Sequence, residues 1–196
     1  MRTLKIPVLT FFAASMLFLT ACSDDNENEP VVVPDLKISE VKDLDGSAES
    51  KKDSAFFNLS LNKEVTSSEK WDIKFKGTTI SVSGTAQLLQ LSNGQLFETY
   101  TTAPASGFDA TDIKGSGSWY NYTATTEPQH AIIPVPGKII VLKTADGKYA
   151  KIEMISYYKG NPSTSAEAFK DLTTRPAAKT YTFRFVYQAD GTTNLK

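Results

Sequence analysis

The sequence predicts an all-β fold of antiparallel sheets with one short helix and long loops. Three observations carry that expectation. Apolar and polar residues alternate over short stretches rich in β-formers, at residues 57–61 and 71–75, which is the period of a half-buried strand. Turn pairs such as Asn93-Gly94, Asp146-Gly147 and Asp190-Gly191 punctuate those stretches. Helix-start chemistry stands out once: Thr164 and Glu167 have capping-box spacing, so residues 164–172 are read as the single helix, stopped by Arg175-Pro176.

The chain has 196 residues, room for one domain of ordinary size. Residues 1–21 read as a signal peptide: Arg2 and Lys5 make a basic start, and an apolar run follows that is too short for a dependable membrane span. Leu19-Thr20-Ala21-Cys22 resembles a bacterial lipobox, which makes Cys22 the expected lipidation site and membrane anchor. Cys22 is also the one cysteine, so no intramolecular disulfide forms. Residues 22–37 read as a lipidated acidic tether, since Asp24, Asp25, Glu27 and Glu29 leave too little apolar area to fold. That acidic run also resembles an export signal for the outer leaflet of an outer membrane, so the expected location is outer-membrane, lipid-anchored and facing the exterior. Residues 38–196 are then a single β domain.

Within it, strands are expected at 57–61, 71–75, 79–83 and 96–101, with 86–91 open between strand and helical turn. Residues 104–117 are loop, dense in Gly and Ser. The segment 138–158 is expected to form the central hairpin, closed by a two-residue type I′ turn at Asp146-Gly147. That turn would set Val141 against Ile152 and Ile139 against Met154, placing Ile139, Val141, Ala150, Ile152 and Met154 on one apolar face. The last strand, 181–188, carries Tyr181, Phe183, Phe185 and Tyr187 on one side.

Charge and motif content exclude several functions. Losing Arg2 and Lys5 with the leader leaves 19 basic against 22 acidic residues, a net of −3. No nucleic acid is expected as a partner, because a binder needs a basic stripe to displace counterions. One histidine and no spare cysteine cannot build an ordinary zinc site. Neither a nucleophile elbow nor a phosphate-cradling loop is present. The protein is read as a binding protein and not an enzyme.

His130 is the candidate metal ligand. It lies among Pro128, Pro134 and Pro136, a few residues after Trp119, Tyr120 and Tyr122. A neutral imidazole can ligate haem iron, and a stiff loop reduces the entropy lost in holding it there. The three aromatic rings could wall a porphyrin; equally, they could pack on the sheet beside an exposed histidine. A different class of ligand is a carbohydrate, with Trp119 stacking on a sugar. A protein-contact role for residues 104–122 is a third reading.

Residues 71–75 (WDIKF), 97–104 (FETYTTAP), 143–151 (KTADGKYAK), 156–160 (SYYKG) and 181–191 (YTFRFVYQADG) resemble the HmuY family of haem-binding surface lipoproteins, in the same order and over nearly the whole domain. The resemblance implies a hemophore that takes haem from host haemoproteins and delivers it to an outer-membrane haem receptor. It implies one or two His or Met axial ligands from loops beside the central hairpin. His130 falls where the first is expected, while residues 159–180 contain neither His nor Met. Met154 is the remaining methionine of the domain, with a place in the core as its plainer role. Five-coordinate binding by His130, a phenolate from a nearby tyrosine, and loss of haem binding all stay open. Lys114, Lys138 and Lys159 are candidate partners for the propionates.

Overall fold

The computed structural model describes residues 36–196. The signal peptide, Cys22 and the acidic run that follows it lie outside the described residues. The chain runs through β1 (Ser39–Asp45), β2 (Ser54–Asn58), β3 (Lys63–Val65), β4 (Ile73–Lys76), β5 (Thr79–Val82), β6 (Gln87–Gln90) and β7 (Asp112–Ile113). It continues through β8 (Tyr120–Tyr122), β9 (Ile132–Pro134), β10 (Ile139–Lys143), β11 (Tyr149–Tyr158), the helical turn α1 (Glu167–Lys170) and β12 (Ala178–Gln188). Antiparallel pairing sorts the strands into a five-stranded sheet, β1-β12-β11-β10-β6, a second, β3-β2-β4-β5-β7, and a separate β8-β9 hairpin.

Side-chain alternation decides how the two large sheets meet. Ile140, Leu142, Ala150, Ile152, Met154 and Tyr181 of the first sheet pack against Ala55, Phe57, Ile73, Phe75 and Ile80 of the second. Aromatic rings join the layers: Phe75 stacks on Tyr181 at 4.7 Å, and Phe57 meets Phe183 and Phe185 edge-on at 5.4 and 5.9 Å. The aromatic side of β12 faces this core as its spacing predicts.

The reverse face of the first sheet is buried too. Ile139, Val141, Tyr149 and Val186 lie beneath Phe97, Ala103 and Leu195. Two charged residues belong to this face. Lys151 Nζ donates to the carbonyls of Phe97 and Tyr100, both at 2.7 Å, and Glu153 accepts from the Gly137 amide at 2.8 Å and from Arg184 Nε at 2.7 Å. A strand covered on both sides has apolar residues on both sides, and Lys151 and Glu153 are tolerated because each is satisfied.

That double burial underlies the main correction to the expected register. Ile140 pairs with Ile152, Val141 with Lys151 and Ile139 with Glu153, one residue from the pairing expected. The connection is a three-residue loop in which only Gly147 has positive φ, at 78°. Gly147 donates its amide to Thr144 O at 3.0 Å, and Lys148 donates to Thr144 Oγ1 at 2.8 Å. This is the type I turn plus left-handed glycine, the next commonest hairpin closure after the two-residue type. Ile140 and Leu142 therefore share the core face with Ala150, Ile152 and Met154, and Ile139 and Val141 face the other way.

Three smaller expectations are corrected. The stretch 96–101 is a turn and not a strand, with the amides of Thr99 and Tyr100 both donating to Leu96 O at 3.1 and 3.0 Å. The second strand ends at Asn58, because Asn58 Oδ1 accepts from the Leu61 amide at 2.9 Å and folds the chain back, leaving Leu61 exposed. The helix is one turn, Glu167–Lys170, entered at Ala166 without a side-chain cap; Thr164 lies before it. Within the stretch 86–91, Gln87–Gln90 form the edge strand β6.

Candidate functional site

The site grows from the β8-β9 hairpin, whose base is held by aromatic groups with their polar ends satisfied. Trp119 is 1 % exposed, and its indole N–H donates to Thr78 O at 2.8 Å. Tyr120 is buried with its hydroxyl 3.1 Å from Thr78 Oγ1. The amide of Ile132 donates to Tyr158 Oη at 3.0 Å. Tyr158 in turn packs edge-on against Phe169 of α1 at 4.8 Å. The helical turn therefore braces the hairpin through one phenol ring.

The hairpin tip is closed by its own hydrogen bonds. Thr123 N donates to Ala131 O at 3.0 Å, the Ala131 amide to Thr123 Oγ1 at 2.8 Å, and Thr123 Oγ1 to Pro128 O at 2.6 Å. Ala124 and His130 both hold positive φ, 49° and 53°, and the His130 amide donates to Ala124 O at 2.7 Å. Left-handed backbone at a non-glycine residue persists only where its surroundings enforce it. Here the bonds around Thr123 supply that enforcement, and they fix the direction in which His130 leaves the backbone.

His130 is exposed. Its Nδ1 shares a hydrogen bond of 2.7 Å with Tyr122 Oη, and the two rings lie 6.2 Å apart at 34°. Tyr122 is 46 % exposed, and its amide donates to Ser116 Oγ at 2.9 Å. Of the sequence-predicted site residues, the fold brings His130 and Tyr122 together at the surface and sets Trp119 and Tyr120 beneath them in the core. Trp119 thus presents no free face on which a sugar could stack. Met154 is 3 % exposed, a member of the main core opposite Phe183 on β12. It borders a shallow concavity with Pro134, Pro136 and Arg184, and His130 is not in that wall.

Lys114 Nζ lies 3.1 Å from Asp112 Oδ2 on the strand leading to the Ser116 loop. Lys138 donates to Asn93 Oδ1 at 2.8 Å. Lys159 is exposed just past Tyr158. The donor set suits an iron porphyrin in its chemistry: an exposed imidazole with one ring nitrogen already engaged by a phenol. Sequence reasoning did not find Thr78 or the hydroxyl of Tyr158 as the residues that set the hairpin in place. No local signal marks them, because their partners are 41 and 26 residues away.

No protein-family model matches the chain, and no curated relative matches it. Solved structures do. A protein of Bacteroides fragilis assigned as a lipoprotein superposes with a TM-score of 0.51 at 13 % identity, over 78 % of this chain and 89 % of that one. The apo form of a Tannerella forsythia HmuY analog gives 0.51 at 12 % identity, over 79 % and 96 %. Apo PinO from Porphyromonas gingivitis gives 0.50 at 13 % identity, over 80 % and 98 %. At such identities the likeness is one of fold, and it extends along nearly the full length of each neighbour. The described domain has the antiparallel β architecture of the HmuY analog and its structural relatives.

Proposed function

We propose that this protein binds haem without catalysing a reaction, as a lipid-anchored hemophore, and that His130 is the axial ligand. The single observation that carries the reading is the bond between Tyr122 Oη and His130 Nδ1 on an exposed hairpin tip. In the tautomer with Nδ1–H donating to the phenol, Nε2 of this exposed ring carries the lone pair that a metal would take. Histidine ligands ordinarily have their second ring nitrogen held this way, which fixes tautomer and ring orientation. Ferric haem supplies the Lewis acid that such a nitrogen binds. Tyr122 orients the ring, and the left-handed backbone at His130 fixes its origin. Lys114, paired with Asp112 and two residues before the Ser116 that holds the Tyr122 amide, is the cation assigned to a propionate. Met154 remains in the core, so His130 is the protein's sole axial ligand in this reading.

The sequence resemblance to HmuY-type lipoproteins and the shared fold support the same assignment. On this reading Cys22 carries the lipid, residues 22–37 form the tether, and the domain faces outward from the outer membrane. Host haemoproteins are the donors, and an outer-membrane haem receptor is the acceptor. Titration with ferric haem tests the proposal. The expected result is a shifted Soret band at micromolar haem, with a spectrum that changes in a His130→Ala variant. Absence of any shift would overturn haem binding. An identical spectrum in the variant would overturn the ligand assignment.

A further inference from the structure

A concavity lies on the outer face of the second sheet, away from the hairpin. There, Phe56 and Val65 are paired across β2 and β3 and form an apolar floor. The Phe56 ring is held by Trp71, edge-on at 5.2 Å and 65°. Around this floor is a concavity of about 460 Å³ walled by Lys51, Lys52, Lys76, Glu64 and the hydroxyl residues Ser50, Ser54, Thr66 and Ser67. That volume is within the usual range for small-ligand clefts.

The electrostatics of the rim are one-sided. Lys51 Nζ lies 2.6 Å from Glu64 Oε1, which neutralises the single carboxylate of the wall. Among the described residues neither Lys52 nor Lys76 has an ion-pair or side-chain hydrogen-bond partner for its ammonium group. The backbone holding Lys52 is also unusual. Lys52 and Asp53 are consecutive non-glycine residues with φ of 49° and 59°. Lys179 anchors Asp53 through a 2.8 Å bond to Oδ1. Strained backbone of this kind gathers at ligand sites, and here it borders a cleft in which two of the three cations, Lys52 and Lys76, lack a counter-ion.

From this arrangement we infer that the Phe56 groove binds an acidic saccharide, a sugar chain carrying carboxylate or sulfate groups. A ring face against Phe56 accounts for the apolar floor. Thr66 and Ser54 already hydrogen-bond within the protein, and the Ser50 and Ser67 hydroxyls suit sugar hydroxyls, which both donate and accept. Lys52 and Lys76 supply the charge that an acidic sugar brings. A bare inorganic anion would use neither the floor nor the hydroxyl rim, and a neutral sugar would leave the two cations unmatched. The inference is independent of haem binding, because no residue of the groove belongs to the hairpin.

The test is calorimetric titration of the protein, with Trp71 emission as a second readout. The probes are trigalacturonate, a heparin-derived tetrasaccharide and neutral maltotriose. At least one acidic probe is expected to bind at millimolar concentration or below, and maltotriose is not. The two acidic arms distinguish a carboxylated from a sulfated ligand. A Lys52→Asn/Lys76→Gln variant should weaken binding about tenfold, the sum of two screened ion pairs. Asparagine is chosen because it tolerates the left-handed backbone at position 52. A Phe56→Ala variant should abolish binding, and His130→Ala should leave it unchanged. Failure of both acidic probes, equal binding of maltotriose, unchanged affinity in the lysine variant, or loss of binding in His130→Ala would each overturn the inference.

Discussion

Replacing Lys151 by Met should lower stability by an amount the structure allows to be worked out. Lys151 is 2 % exposed, and its ammonium caps the turn at residues 96–100 by donating to Phe97 O and Tyr100 O at 2.7 Å each. It also lies 4.6 Å from the centroid of the Phe97 ring. Methionine keeps most of the stem volume but has no donor, so both carbonyls lose charge-assisted bonds worth about 1.5–3 kcal/mol each. Against that, removing a buried ammonium recovers part of its desolvation cost, which is several kcal/mol in real interiors. The Tyr100 carbonyl is only part-buried and regains water. The net loss should be about 2–4 kcal/mol, or a melting temperature lower by roughly 5–15 °C for a domain of this size. Thermal unfolding followed by circular dichroism measures it, and amide exchange at Thr99 and Tyr100 should quicken. The pH dependence carries the opposite sign. Burial holds the Lys151 amine below its ordinary value of 10.5. Between that lowered value and 10.5 the unfolded chain binds more protons, so this residue's contribution improves as pH rises, and the Met variant should lack that component. A melting temperature equal to or above that of the native protein would refute the reasoning, since it would mean the ammonium costs more than its two bonds return.

Burial pushes the Tyr157 phenol up to about 12 and that of Tyr187 to about 12. The folded state then keeps protons that the unfolded chain releases, so stability is full below pH 10 and declines towards pH 12, by about 1.4 kcal/mol per pH unit for Tyr157; a urea midpoint constant across that window would contradict this. Tyr122→Phe should weaken haem binding about tenfold by freeing the His130 ring, with unfolding unchanged; equal affinity would remove the orienting role of the phenol. Gly137→Ala should cost about 1–3 kcal/mol in denaturant unfolding, since φ is 71° and a Cβ would stand 2.8 Å from the backbone oxygen of Gln95. Gly77→Ala shares the positive φ but meets nothing within 4 Å, so it should lose less; an equal loss would rule out the contact as the cause.

The fold class and most strands were legible because alternation is a local property. Phe57, Ile73, Phe75 and the aromatic side of β12 point inward as their period of two requires. The hairpin register was not legible. Asp146-Gly147 supports two closures, and the choice rests on the Thr144 hydroxyl and on a second apolar layer formed by Phe97 and Leu195, both remote in sequence. The same layer explains residues 96–101, whose composition suits a strand but whose carbonyls are gathered by Lys151. At the site, the nearness in sequence of His130 to the aromatic cluster was legible, but the hairpin that pairs Tyr122 with His130 was not. The fate of Trp119 and Tyr120 was not, because an aromatic cluster gives no sign of which rings turn inward until Thr78 is placed beside them.

The hairpin that bears His130 is fastened at its root and closes on itself at its tip. Mutations at residues 124–130 therefore fall on a part of the molecule that the two large sheets do not depend on. A lineage could try histidine, methionine or tyrosine there without endangering the body of the protein. Such a separation lets the tip vary in sequence while the two large sheets, whose architecture is shared with a neighbour at 12 % identity, keep their packing.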